Sequence, residues 1–374
     1  MQIAYYMPFK PPGHRNPSGD LITGMELHDF LRDGGHSLNI ASRLRCRWLY
    51  LKPWRYPQLA HARQSALRHT RKSGAELWLS YHSYYKAPDL LGPWCSRTLS
   101  IPYVIFQGIY STKRRRSAIT YIGFVLNRRA LQQAQLVFTN KKRDEINLKR
   151  LLEEPRVRYI APGIEPAQFH FDHQARARMR ANWRTGDRPV VLSTAMLRPG
   201  VKSRGMEMVM KSCAELRADN QPLLLVIAGD GEERARLARR GHELLGEDVL
   251  FLGRITRTRL FECYSGADIF AFPGIDESLG MVYLEAQSCG LPVVACGDWG
   301  ARETVIDKAT GLLTEYSRPE TFTAAIRTLL GDAPRRTEMG HAAARHIRTH
   351  HDLNRNYRQV ERTLRQVVDG GERK

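Results

Sequence analysis

The sequence predicts an α/β protein of two domains, each a doubly wound parallel sheet. Three observations predict it. Short apolar runs alternate with amphipathic stretches along most of the chain, as parallel strands alternate with crossover helices. The series runs twice, and Ala161-Pro162-Gly163-Ile164 parts the two runs with residues that punctuate a strand end. A chain of 374 residues also exceeds what one ordinary core organises.

In the first series, residues 3–7 (Ile-Ala-Tyr-Tyr-Met) form a strand-like run, followed by a Pro/Gly-rich loop and a helix over 21–33. That helix stops at Gly34-Gly35, where a left-handed cap costs little. Further strands are expected at 38–41, 77–80, 103–106, 136–139 and 157–160. The second series places strands at 190–193, 223–228, 249–252, 269–272 and 292–295, with a charged helical stretch from about Arg335. The expected division is 1–163, 164–345 and a C-terminal helical segment, 346–374, packing back on the first domain.

The apolar share (42%) and charged share (26%) are those of a folded soluble protein. No apolar run approaches the roughly 18 residues that span a bilayer. Residues 3–7 follow no basic-then-apolar leader, so a cytoplasmic protein is expected. Cys46, Cys95, Cys213, Cys263, Cys289 and Cys296 have no C-x-x-C spacing and read as reduced core residues. The net charge of +20 is lopsided: residues 1–163 carry 27 Lys+Arg against 10 Asp+Glu, the remainder 31 against 28. A field of one sign draws polyanions such as phospholipid headgroups, nucleic acid or an acidic acceptor; simple solubility is the other reading. Interleaved aromatic platforms, a helix-turn-helix signal and zinc spacing are all missing, so no nucleic-acid partner is expected.

The most informative segment runs from Phe272 to Ala295 and reads as strand, loop, helix, glycine cap, strand. Glu277 falls on the loop, and Ser278, Leu279 and Gly280 open the helix with unpaired N–H groups, an anion-binding arrangement in which Gly280 permits close backbone approach. Glu285 falls on the first helical turns, where a carboxylate can accept two hydrogen bonds from vicinal hydroxyls. Solvated helix-start charges are the alternative for both glutamates.

The segment resembles the retaining family 4 glycosyltransferases of the GT-B fold, in which two Rossmann-like domains face a cleft. Their pattern is E-x7-E followed by E-A-x-x-C/S-G-x-P-V-V-A. Glu277 and Glu285 fit the spacing, and residues 284–295 fit the tail. The resemblance implies that Glu277 contacts donor-sugar hydroxyls, that the amides of Ser278, Leu279, Gly280 and Met281 hold sugar and phosphate, and that Glu285 binds ribose. Residues 193–205 resemble the family's basic strand-to-helix segment, which implies that Arg198 and Lys202, with Arg204 a further candidate, neutralise the diphosphate as charge grows on it. Met196 stands where the family has Arg, and a solvated basic loop is the other reading of this stretch. Ala228-Gly229-Asp230-Gly231 resembles the family's turn near the nucleotide, and Gly253-Arg254-Ile255 the place where backbone groups read the base, so Gly231 and Ile255 are donor contacts by resemblance. Asp268 reads as a structural hydrogen-bonding residue.

In the first half, Asn16-Pro17-Ser18-Gly19-Asp20 occupies the first strand-to-helix loop; Gly19 matches the family, which implies phosphate contact there. Gln107, in Ile105-Phe106-Gln107-Gly108, replaces the family's His near the donor sugar and can hydrogen-bond a hydroxyl but not shuttle a proton. His82 follows a strand end and either faces the cleft or, as a lone His more often does, serves the structure. No His/Cys/Asp/Glu cluster has metal-ligand spacing; cations and helix termini are expected to do a metal's work.

Lys113, Arg114, Arg115 and Arg116 precede an apolar run containing Ile119, Tyr121, Ile122, Phe124, Val125 and Leu126, and Arg128 and Arg129 close it. Such a basic, apolar helix suits an anionic leaflet at about 1 kcal/mol per cation. Membrane-associated members of the family dock through this region. A core helix with a solvated basic start is the alternative, and phosphates of a lipid or lipopolysaccharide acceptor would use the same charges.

The resemblance thus implies a metal-independent retaining hexosyltransferase using a UDP- or GDP-sugar, with no separate cofactor. Its acceptor is expected to be a lipid-linked or cell-envelope polysaccharide hydroxyl, reached from the cytoplasm or from the inner face of the membrane. Gln107 and Met196 leave an inactive or phosphorylase-like GT-B homologue as the alternative, and the basic balance alone leaves a nucleic-acid-binding protein as a remoter one.

Overall fold

The first apolar run becomes β1 (Gln2–Tyr6), whose last four residues are buried. In the computed structural model, described for residues 1–14 and 19–371, it is joined by β2 (Ser37–Ser42), β3 (Leu77–Ser83), β4 (Tyr103–Gly108), β5 (Leu136–Thr139) and β6 (Val157–Tyr159). All pair in parallel, in the order β2-β1-β3-β4-β5-β6. Every residue of β3 and β4 is buried, as a parallel sheet covered by helices on both faces requires. The helix Gly19–Asp33 ends as its sequence predicts. Gly35 adopts φ 83°, and the N–H groups of Gly35 and His36 return to the carbonyls of Arg32 and Leu31 at 3.0 and 3.1 Å.

The second unit contains β7 (Val190–Thr194), β8 (Leu224–Ala228), β9 (Val249–Gly253), β10 (Ile269–Ala271), β11 (Val293–Cys296) and β12 (Gly311–Thr314). Their order is β12-β11-β10-β7-β8-β9, again all parallel. The chain starts at β7, winds outward through β8 and β9, then returns to place β10 on the other side of β7. Loops at the carboxyl ends of β7 and β10 therefore diverge, which opens a crevice in sheets of this kind. In the first unit the same reversal falls between β1 and β3. Each unit has its own core, centred on Tyr6, Trp78 and Ile105 in the first and on Leu192, Val226 and Phe270 in the second.

Three expectations change. β12 was not foreseen: four residues beginning with Gly311 carry too little pattern, and pairing with β11 decides the matter. β3 runs to Ser83, so His82 lies within a strand rather than beyond one. Residues 346–350 complete the helix Ala333–His350 of the second unit, so the boundary expected at 346 moves to Leu353/Asn354. Asn354 onward belongs to the first unit, where the Tyr357 ring meets Phe30 and Phe106 at 5.5 and 6.2 Å and Glu361 meets His36 at 3.0 Å. All six cysteines are buried and unbridged.

Candidate functional site

In the second unit, β7 leads through Ala195–Gly200 into the helix Val201–Ala218, and β10 leads through a nine-residue loop into the helix Met281–Ser288. The first loop is pinned from below by the turn after β8. Leu197 N–H donates to the Asp230 carbonyl at 2.9 Å, and Glu233 N–H to the Leu197 carbonyl at 3.0 Å. A Cβ on Gly231 would strike the Leu197 carbonyl, so this glycine is required by loop-on-loop packing whatever else it does.

The second loop turns three times through left-handed backbone, at Gly274 (φ 67°), Asp276 (53°) and Gly280 (71°). The buried Tyr283 braces it from beneath, donating from its hydroxyl to the Phe272 carbonyl at 3.1 Å. A Cβ on Gly274 or on Gly280 would enter the Tyr283 side chain. Gly280 is the N-cap and the helix starts at Met281, so Ser278 and Leu279 sit on the loop and not, as expected, at the helix opening. Only the Gly280–Met281 end carries the helix-start amides.

The two loops bring Lys202 and Glu277 together. Lys202, in the first turn of its helix, forms an ion pair with the Glu277 carboxylate, and its ammonium lies 5.1 Å from the centre of the Phe272 ring. Both side chains remain about one-quarter exposed (26% and 23%), so the pair is reachable by a ligand. Arg198, Met196 and Arg204 are solvent-facing nearby in sequence. Ile255 is half-buried on the loop after β9 and packs against the core.

Glu285 is buried, and its carboxylate accepts a hydrogen bond from the Tyr264 hydroxyl at 2.8 Å; that hydroxyl also lies 3.2 Å from the Thr194 hydroxyl at the end of β7. Burial, then the charge of Glu285, hold the Tyr264 phenol well above its ordinary range, so it stays protonated and donates. Tyr264, Thr194 and Tyr283 were missed from the sequence, because nothing local marks a tyrosine as the brace of a distant carboxylate. Asp268 receives Arg176 and Arg180 at 2.7 and 2.9 Å and the Val190 N–H at 2.8 Å, a structural clamp at the opposite, amino end of β7.

In the first unit Gly19 begins its helix with open space where a Cβ would be, while residues 16–18 lie outside the described residues. Gln107 is buried at the end of β4 with φ 62°. His82, also buried, has φ 65°, and its Nδ1 lies 3.0 Å from the Asp20 carboxylate.

Lys113, Arg114, Arg115 and Arg116 form an exposed 3-10 turn, with the Arg114 guanidinium 4.5 Å over the Tyr85 ring. The helix Ala118–Gln133 follows; Phe124, Asn127 and Leu131 face inward, whereas Ile119, Tyr121 and Ile122 are exposed (65%, 51% and 48%) and Arg128 and Arg129 face solvent. Leu51, Trp54 and Tyr56 are exposed too, close in sequence to Tyr50, whose hydroxyl packs on Gly123 of this helix. Among the described residues no helix is long and apolar enough to cross a membrane, and no group of three or more His, Cys, Asp or Glu is gathered as a metal site.

Residues 176–346 match the family described as glycosyl transferases group 1. The second unit is a group 1 glycosyl transferase domain. A GDP-mannose-dependent alpha-(1-6)-phosphatidylinositol monomannoside mannosyltransferase of Mycolicibacterium smegmatis is 38% identical over 196 residues, 50% of each chain. A D-inositol 3-phosphate glycosyltransferase of Acidothermus cellulolyticus is 28% identical over 291 residues, 72% of this chain and 64% of its own. The matches span about half the length of the first of these curated relatives. Among solved structures, sucrose-phosphate synthase from Thermosynechococcus elongatus superposes with a TM-score of 0.75 at 20% identity, covering 99% of this chain and 100% of its own. Anabaena HepE in complex with UDP gives 0.75 at 17% identity, covering 98% and 100%. The group 1 domain thus sits within a chain of GT-B fold.

Proposed function

We propose that the chain is a retaining glycosyltransferase that moves a hexose, with GDP-mannose the first donor to try, onto a hydroxyl of a membrane glycolipid. The observation that carries this reading is the Lys202–Glu277 pair at the strand-order reversal of the group 1 domain. Without ligand the two charges neutralise one another. A bound donor offers each a better partner, its diphosphate to Lys202 and its sugar hydroxyls to Glu277. Arg198 adds a second cation for the diphosphate, Glu285 takes the ribose, and the amides of Gly280 and Met281 receive the phosphate end. Reaction then breaks the bond from the anomeric carbon to the phosphate oxygen and forms one to the acceptor oxygen on the same face. The acceptor proton passes to the departing phosphate. Growing negative charge on that phosphate is what Lys202 and Arg198 stabilise. The names of the relatives matched in sequence support GDP-mannose and an inositol-containing acceptor.

Glu277→Gln keeps the shape but loses the carboxylate, and turnover is expected to fall on the order of 10²-fold or more. The test is GDP release from GDP-mannose with a glycolipid extract as acceptor, with the anomeric configuration of the product read by NMR. An inverted product, or equal turnover by Glu277→Gln, overturns the reading.

A further inference from the structure

The helix Met281–Ser288 ends at a turn whose Gly290, with φ 78°, leads the chain through Leu291 and Pro292 into β11. The helix Ala333–His350 lies against that turn. A Cβ on Gly340 would strike the Gly290 carbonyl, so the lack of a side chain there lets helix and turn close up. Beside this contact, at the amino ends of β10 and β11, a pocket of about 420 Å³ opens wholly within the second unit. Small-molecule sites have volumes of this order. Its position separates it from the Lys202–Glu277 pair, which follows the carboxyl ends of β7 and β10.

The lining has two parts. Phe171, Ala267, Leu291, Pro292 and Ala344 supply apolar surface, and Phe171 is still 39% exposed. Arg176, Arg336, Arg345 and Arg348 supply charge, against the single carboxylate of Asp268. That carboxylate is already shared between Arg176 and Arg180, at 2.7 and 2.9 Å. Arg336 donates to the Leu329 carbonyl at 2.6 Å, a neutral acceptor that leaves its charge in place. Thr337, His341, Arg345 and Arg348 recur at three- and four-residue spacing and so share one face of the helix Ala333–His350. Arg345 and Arg348 are exposed, and among the described residues neither guanidinium has a carboxylate partner. The excess is local, since residues 164–374 as a whole carry 31 Lys+Arg against 28 Asp+Glu.

Each part of the lining selects against a class of ligand. The guanidiniums repel a metal cation. A bare inorganic anion would leave the apolar surface in water, and a neutral apolar molecule would forgo the arginines. An anion carried on an apolar body uses both. We infer that this pocket binds a small organic anion, a phosphate, sulfonate or carboxylate group on an aromatic or aliphatic body. The anionic group meets Arg345 and Arg348, and the body lies against Phe171 and Leu291. The site is separate from the proposed donor site and does not rest on it.

The experiment is fluorescence titration of the full chain with anilinonaphthalene sulfonate, an aromatic body carrying one negative charge, and with the neutral phenylnaphthylamine. Wild type is expected to bind the sulfonate with a Kd in the micromolar range, and the neutral compound about tenfold more weakly. Arg345→Gln combined with Arg348→Gln is expected to weaken the sulfonate about tenfold, the worth of two exposed charge contacts, and to leave the neutral compound unchanged. Thr337→Trp fills the pocket from an exposed position on the same helix face and is expected to weaken both compounds. Wild-type unfolding midpoints verify that the variants are folded. Saturating GDP is expected to leave the sulfonate titration as it is. Decyl phosphate and naphthyl phosphate, as displacers, distinguish a lipid-like anion from a soluble aromatic one, and at least one should displace the sulfonate. No sulfonate binding in wild type, equal affinity for the charged and neutral compounds, or indifference to the variants overturns the inference. So does displacement by GDP, or displacement by neither organic phosphate. Failure of GDP and GDP-mannose to bind, with the sulfonate behaving as expected, overturns the donor assignment instead and leaves this pocket standing.

Discussion

Gly280 shows how strictly single residues are fixed around Glu277. Its φ of 71° is left-handed, and the Tyr283 ring fills the space a side chain would need. Gly280→Ala meets both obstacles and is expected to cost at least about 1–2 kcal/mol in urea denaturation; an unchanged midpoint would show that the loop is not braced as described. The glycines and the two glutamates were legible in the sequence because loop geometry and charge leave local marks. Tyr264 under Glu285 and Tyr283 under Gly280 were not. Each acts across a tertiary contact, and a tyrosine in a helix looks the same whether it braces a site or fills a core. Gln107 and His82 were singled out separately in the sequence and not as neighbours, since their adjacency comes from strand register.

At the scale of elements, the helix Ala118–Gln133 presents two faces. Phe124 packs inward and Asn127 ties it to the sheet, accepting from Ser83 Oγ and donating to the Ile109 carbonyl, both at 2.8 Å. Ile119, Tyr121 and Ile122 are left outside, preceded by four consecutive cations. Apolar side chains exposed next to such a charge cluster match an interfacial helix better than a core helix. Sedimentation with vesicles containing anionic phospholipid should therefore carry the protein down at low salt. Neutralising Lys113, Arg114, Arg115 and Arg116 together should abolish most of this, at about 1 kcal/mol per cation. Equal binding to neutral vesicles would contradict the electrostatic part of the account.

The helix Ala333–His350 makes a different prediction. Burial, then the charges of His351 and His350, hold the His346 imidazole down to about 4. Burial also lowers His351, whose Nδ1 lies 2.7 Å from the Pro162 carbonyl. Both are neutral when folded and take up protons on unfolding. The stability they permit is complete above about pH 6.5 and is lost as pH falls toward 4, because the unfolded chain binds protons there first. Urea midpoints measured across that window should fall with pH, and less steeply in His346→Phe; identical slopes would remove His346 from the explanation.

For the whole molecule, the alternation of strands and helices was sufficient to predict two parallel sheets, because buried parallel strands are apolar along their entire length and stand out. Strand order was not legible, since every order of parallel strands demands the same pattern. The order is what matters for function: in the second unit the reversal between β7 and β10 places Lys202 and Glu277, 75 residues apart, on facing loops. β12 and the 353/354 boundary escaped for a related reason, being settled by pairing and packing rather than composition. The charge asymmetry, by contrast, was plain in the sequence, and the structure locates part of it on the exposed turn Thr112–Arg116.

Calorimetric titration of GDP-mannose into wild type and Lys202→Met asks whether the Lys202–Glu277 pair seats a nucleotide sugar, as proposed. One donor should bind per chain, and loss of the ammonium should weaken binding by about tenfold or more, the worth of one charge-assisted hydrogen bond. Identical affinities for the two proteins, or no heat from GDP-mannose or any UDP-sugar with wild type, would contradict it.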